Sequence, residues 1–169
     1  MTANGRAKIE EEKIKNAIGS GLRSLVFSLL PETANSPKLL ETLEADFLKH
    51  YRQYLFHNLT IWPGVEDFLA NIHEKIVVVT NKHEQLARET LSHLKLDRFP
   101  WLTVIGGDTL PEKKPHPLPL LESLSLAGVK AHEALMIGDG EPDVMAAKAC
   151  GIEPIALTFG YGDPKVLQR

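Results

Sequence analysis

Three carboxylates crowd one turn in the stretch ALMIGDGEPD, residues 134–143, where Asp139, Glu141 and Asp143 follow an apolar run that stops at Gly138. Like charges this close repel one another, so a cation is expected beside them. Asp139 lies between Gly138 and Gly140 and suits a hard, oxygen-seeking ion such as Mg²⁺. Asp143 either caps a helix starting near Pro142 or orients a metal ligand or a lysine. Glu141 reads as a solvated turn residue.

Two further stretches carry groups that could complete such a site. Thr80, Asn81 and Lys82 follow the apolar run KIVVV. A hydroxyl and free backbone N–H groups there can hold an anion. The alternative is that Thr80 merely ends a strand and Asn81 caps the next helix. In PEKKPHPLP, Lys114 precedes Pro115 and is pushed toward an extended conformation. It can bind a phosphate or neutralise a carboxylate, or it is an ordinary surface lysine. Lys113 is the more expendable of the two and is expected to point to solvent. His116, between two prolines, reads as exposed loop without a role. Taken together, a hydroxyl–amide pair, a lysine and an acid at three successive strand ends suit a phosphate bound beside a divalent metal.

These groups need a scaffold that collects strand ends. KIVVVT (75–80), WLTVIGG, ALMIG and PIALTFG read as buried strands. HEQLARETLSHLKL, HPLPLLESLSLAG and PDVMAAKACG read as helices between them, with Gly128 and Gly151 as C-caps. Alternation of this kind indicates a parallel, doubly wound α/β sheet, in which ligands bind beyond the carboxyl ends of the strands. Before Ile61 the pattern is helical: KIEEEKIKNAI, then LRSLVFSLL after Gly19-Ser20-Gly21, then 38–57 with an apolar stripe of Leu40, Leu43, Phe47, Tyr51 and Leu55. PETANSP (31–37) reads as loop, and Val65, Phe68, Leu69 and Ile72 as a short helix. The chain divides near residue 58, into a helical piece at 1–58 and an α/β piece at 59–169.

Bulk properties exclude several classes. The 169 residues carry a net charge of -3, which argues against nucleic acid or a membrane surface as a partner held by bulk charge. No apolar run approaches the roughly 20 residues of a transmembrane helix, and no secretory h-region is visible. The one cysteine, Cys150, sits in AAKACG and is expected to be small and buried. A reducing cytoplasm is the expected compartment.

At these residues the sequence resembles the haloacid dehalogenase-like phosphatase superfamily. VVVTNK is similar to its second motif, KKPHP to its lysine motif and IGDGEPD to its acidic motif. GGDTLPEKKPHPLPLL, IGSGLRSLV and FGYG resemble the bacterial phosphoglycolate phosphatases. The resemblance implies a Rossmann-like α/β core under a helical cap and hydrolysis of a small phosphate monoester such as phosphoglycolate with Mg²⁺. In that mechanism an aspartate on a first strand forms an aspartyl-phosphate, and a second aspartate two residues on acts as acid and base. Carried over, Thr80 and the Asn81 backbone would hold phosphoryl oxygens, Lys114 would stabilise charge, and Asp139 would help hold Mg²⁺ with Asp143 close behind. Gly19, Ser20, Gly21 and Arg23 would face the substrate from the cap.

One departure matters. The family's Asp-x-Asp-Gly-Thr motif is absent: Asp46 and Asp67 lie in helical patterns, Asp97 follows a helix, and Asp108 belongs to GGDTL. In relatives that motif ends a central strand between those matching KIVVVT and ALMIG. Its loss is expected to leave a gap, or to force those two strands to pair directly, and either invites self-association. The expectation is therefore an N-terminally truncated, catalytically impaired phosphatase-like chain. The alternatives are a non-catalytic module that binds a phosphorylated metabolite or a protein, and a chain that regains activity when another segment supplies the strand.

Overall fold

The computed structural model describes residues 8–160 and 162–167. The first seven residues of the expected cap and Tyr161 of FGYG lie outside them. Three helices come first: α1 (Glu11–Ala17), α2 (Leu22–Leu29) and α3 (Pro37–Tyr54). Pro37 occupies the first turn of α3, and the Ser36 Oγ accepts from the Leu39 N–H at 3.4 Å, a side-chain N-cap. The expected loop at 31–37 is instead a 3₁₀ turn over Pro31–Asn35. Its reason lies in Thr33, which is buried and donates its hydroxyl to the Leu30 carbonyl at 2.7 Å, so the turn tightens on itself.

The remainder alternates as read from the sequence. In order come α4 (Val65–Asn71), β1 (Ile76–Val79), α5 (Glu84–His93), β2 (Trp101–Ile105) and α6 (Leu118–Ala127). Then follow β3 (Leu135–Gly138), α7 (Glu141–Cys150), β4 (Glu153–Ala156) and a last turn, α8 (Pro164–Leu167). Helices α6 and α7 end on Gly128 and Gly151, both left-handed. Cys150 is half-buried rather than fully buried. Burial pushes its thiol pKa up, and its Sγ lies 3.5 Å from the Pro117 carbonyl.

The strands form two parallel pairs. β1 lies beside β2, with Val77 opposite Thr103 and Val79 opposite Ile105. β3 lies beside β4, with Leu135 opposite Glu153 and Gly138 opposite Ala156. No ladder joins the pairs among the described residues, so of the two expected outcomes the chain adopts the gap. The pairs are joined through helices instead. Leu120 of α6 and Ala146 and Ala147 of α7 form one buried cluster with Ile152, and both Val79 of β1 and Met136 of β3 pack against it. Close packing of small α7 residues lets two separate ladders share one apolar centre. Leu135 and Ile137 of β3 remain 62% and 45% exposed. Among the described residues no helix is long and apolar enough to cross a membrane.

Candidate functional site at the strand ends

Lys114 is the centre of the site. It is only 6% exposed, and its Nζ lies 2.6 Å from Asp143 Oδ1 while also donating to the Val79 carbonyl. A buried ammonium is tolerated because it is paired and hydrogen-bonded. The surface-lysine alternative is thereby excluded. The Lys114–Pro115 peptide is cis. The contact joins the end of β1 to the start of α7, across the interrupted ladder.

Asp143 fills both roles left open by the sequence. Its Oδ2 accepts from the Gly140 N–H at 3.0 Å, closing the first turn of α7, while Oδ1 takes the lysine. Glu141 is exposed at the start of α7, in helix rather than in a free turn.

Thr80 follows β1 directly, and its N–H continues the ladder to the Ile105 carbonyl at 2.9 Å. Its Oγ accepts from the Lys82 N–H at 3.1 Å, which leaves the hydroxyl proton to donate to an incoming oxygen. Asn81 does not cap α5. That helix opens after His83, and its Glu84 N–H is taken by Asp108 Oδ1 at 2.7 Å, from a loop 24 residues on. The Asn81 amide is used as a clamp: Nδ2 donates to the Gly19 carbonyl at 2.9 Å and to the Lys114 carbonyl at 2.8 Å. Its Oδ1 is buried and without a hydrogen-bond partner among the described residues.

Asp139 sits at the tip of β3, wrapped by the chain that follows β4. Its carbonyl accepts from the Gly162 N–H at 3.0 Å. A Cβ on Gly160 would lie 2.1 Å from Asp139 Oδ2, and one on Gly162 would lie 2.2 Å from the Asp139 carbonyl oxygen. Only glycine permits this approach. Residue spacing gives no hint of the wrap; its one signal is the FGYG string, to which no contact can be assigned without the fold. The described residues include no group of three or more His, Cys, Asp or Glu side chains able to hold a metal. Mg²⁺ asks for six oxygens in near-octahedral order. This donor set therefore fits the ion only in part.

The cap-side residues divide. Gly19 is held by Asn81, and Gly21, at φ 85°, is the uncapped start of α2. Ser20 is exposed. Arg23 is exposed and pairs loosely with Glu44 at 3.6 Å. Lys113 corrects the expectation made for it. It does not point to solvent but is half-buried against α2, 3.5 Å from Ser24 Oγ, and burial holds its pKa below the usual lysine value. His116 is exposed as expected, its Nδ1 accepting from the Leu118 N–H at 3.1 Å.

A polar cluster that the sequence reading missed supports the β1 side. His83 Nδ1 lies 2.8 Å from Asp108 Oδ2, and Thr109 Oγ donates to Glu84 at 2.5 Å and accepts from the Gly106 N–H at 2.7 Å. Burial works to raise the Asp108 carboxyl, but the Glu84 N–H and His83 outweigh it and hold the pKa below the ordinary value. GGDTL is the available signal; in the sequence it supports the family resemblance and fails as a nucleophile motif, and neither reading points to this helix-capping contact.

Comparison with known proteins bears on this arrangement. The family model described as haloacid dehalogenase-like hydrolase matches residues 1–157. The chain belongs to the haloacid dehalogenase-like hydrolases. It is 38% identical over 170 residues to a phosphoglycolate phosphatase of Chromobacterium violaceum, covering 96% of this chain and 76% of that protein. It is 35% identical to a phosphoglycolate phosphatase of Neisseria gonorrhoeae, covering 98% of this chain and 72% of the relative. A crystal structure of a haloacid dehalogenase-like hydrolase from Bacteroides fragilis superposes with a TM-score of 0.88 at 24% identity, over 98% of this chain and 79% of that one. That likeness concerns the fold, a Rossmann-like α/β core, and leaves the chemistry to the residues.

Proposed function

We propose that this hydrolase-family chain carries the phosphate-binding part of a Mg²⁺-assisted phosphatase for phosphoglycolate or a similar small phosphate monoester. In this reading 1–58 serves as a helical cap to a core at 59–169, a division supported by the helices that precede β1 among the described residues. The observation that carries the reading is the buried Lys114, fixed between the Val79 carbonyl and Asp143, with Thr80 and Asp139 at the neighbouring strand ends. In this role the Thr80 hydroxyl and the backbone N–H of Asn81 donate to phosphoryl oxygens. Lys114 offsets the charge that develops on them. Asp143 orients Lys114. Asp139 is the ligand this chain offers to Mg²⁺, whose chemistry would be to polarise the phosphoryl group. Gly19, Ser20, Gly21 and Arg23 close over the substrate from the cap, as the resemblance implies.

The nucleophile is not among these groups, since the sequence holds no Asp-x-Asp-Gly-Thr. We read the 169 residues as catalytically impaired by themselves, with the active form needing a strand that carries this motif between β1 and β3. Phosphate release from phosphoglycolate with Mg²⁺ tests this. The expected result is no turnover by the 169 residues, and turnover once a segment with the motif is joined in frame or added as a separate chain. Inactivity in both arrangements would sink the assignment. A second reading, a non-catalytic module that binds a phosphorylated metabolite or a protein, is favoured by the missing motif together with an intact Lys114–Asp143 pair. It expects ligand binding without turnover in either arrangement.

A further inference from the structure

Lys113 and Lys114 are adjacent, yet they serve different places. The Lys114 charge is matched by Asp143. Lys113 has no carboxylate within ion-pair distance among the described residues. Its Nζ lies where a Cβ on Gly21 would be, 2.6 Å from that position, at the uncapped N-terminal end of α2. The partial charge of a helix N-terminus is positive, so an ammonium there is badly placed unless an anion joins it. Arg23 in the first turn of α2 adds a second positive charge. Glu44 offsets part of this, at 3.6 Å from Arg23. Burial pushes the Lys113 pKa down, Glu44 opposes this and Arg23 adds to it.

We propose that Lys113, with Arg23 and Ser24, forms a second anion subsite that binds a carboxylate on the substrate while Thr80 and Lys114 hold its phosphate. This rests on the phosphatase reading above and names the residue that selects the substrate class. Three observations favour it. Ser24 Oγ and Lys113 Nζ are 3.5 Å apart, so one small oxyanion can bridge them. Arg23 and Ser24 line a cleft of about 420 Å³ among the N-terminal helices, so two of the three groups border open space that can admit an anion. The Asn81 clamp ties Gly19 to Lys114, and Gly21 packs beside the Asn81 carbonyl, so the subsite adjoins the phosphate site and suits a short substrate.

The test is calorimetric titration of the 169-residue protein with inorganic phosphate, ethyl phosphate and phosphoglycolate, which differ by the carbon chain and then the carboxylate. Wild type is expected to bind phosphoglycolate about tenfold more tightly than ethyl phosphate, the worth of one charge-assisted contact. Lys113→Met should remove that advantage and leave inorganic phosphate and ethyl phosphate within about twofold of wild type, while Lys113→Arg restores most of it. Arg23→Gln, at an exposed position that does not threaten folding, should lower only phosphoglycolate affinity. Equal affinity of wild type for the two esters, or equal weakening of all three ligands by Lys113→Met, would overturn the subsite but spare the phosphate site. Failure of folded wild type to bind any of the three, inorganic phosphate included, would overturn the phosphate reading and the subsite with it.

Discussion

The two strand pairs have the same parallel geometry and opposite surroundings. β2 ends in Val104 and Ile105, the latter 2% exposed, with α5 packed against β2 and α6 against both strands of the pair. β3 and β4 alternate exposed and half-buried residues, with α7 against them and Leu135, Ile137 and Ile155 turned outward. A parallel strand is normally covered on both faces, and apolar composition reflects this. The β1–β2 pair is half-buried to buried apart from Leu102, whereas every second residue of the β3–β4 pair is exposed. Thr80 and Asn81, the groups we propose for phosphate, follow the β1–β2 pair, and Asp139, the ligand we propose for Mg²⁺, follows β3 of the other. Lys114 and Asp143 are the polar link between them, so the site is most vulnerable where the fold is least complete.

The largest effect is expected from that link. Lys114→Ala leaves Asp143 partly buried without its cation and should destabilise the chain by about 3–5 kcal/mol in urea unfolding. Lys114→Met combined with Asp143→Asn should recover a good part of this, and a double variant no better than the single would show that the pair is not what couples the two halves. The contrast between the strand pairs is broken or upheld by two matched truncations. Ile105→Ala should cost about 2–5 kcal/mol. Ile137→Ala should cost less than about 0.5 kcal/mol, as for a surface site. Similar losses at both positions would mean that the β3 face is covered after all.

Smaller effects sharpen the picture. Gly160→Ala forces a methyl against Asp139 and should cost about 1–3 kcal/mol, while moving the carboxylate away from the position it offers a cation. Thermal unfolding and Mg²⁺ titration together would separate the packing cost from the ligand effect. If the exposed β3 face draws copies of the chain together, sedimentation velocity should show association in the wild type that Leu135→Lys lowers without loss of helix content, and a monomeric wild type would end that idea. Unchanged association would place the contact elsewhere.

The smallest effect concerns pH. The folded Asp108 carboxyl titrates below its ordinary value, so its contribution is present above about pH 4 and is lost as pH falls through the folded pKa. His83 and Asp108 are 40% and 46% exposed, so solvent screening keeps the contribution under about 1 kcal/mol. Asp108→Asn should remove that part of the acid dependence of unfolding. An unchanged acid limb would assign it to other carboxylates.

Much of the fold was legible because its signals are local. Pro37 after Ser36 starts α3, Gly128 and Gly151 end α6 and α7, and β-branched runs mark β1 and β2. Lys114 and Asp143, from two different strand-end loops, do meet, as convergence of strand ends in an α/β sheet leads one to expect. What stayed hidden depended on contacts far apart in sequence. Asp108 caps a helix that begins 24 residues earlier, Asn81 binds Gly19 across 62, and Gly160 encloses Asp139 from beyond another strand.

The sequence by itself determined the order of elements, the three strand-end motifs and the absence of an Asp-x-Asp-Gly-Thr motif, since residue types and spacing suffice for these. It left two outcomes open for the strands flanking that motif, left Lys114 between a site lysine and a surface one, and turned Lys113 toward solvent. Only the tertiary structure decided them. The shared α6–α7 core holds the pairs in place without a common ladder, and it turns Lys114 inward onto Asp143 while Lys113 meets Ser24 of α2. Direction along a loop is set by which charges and cavities surround it, and those come from segments brought together only on folding.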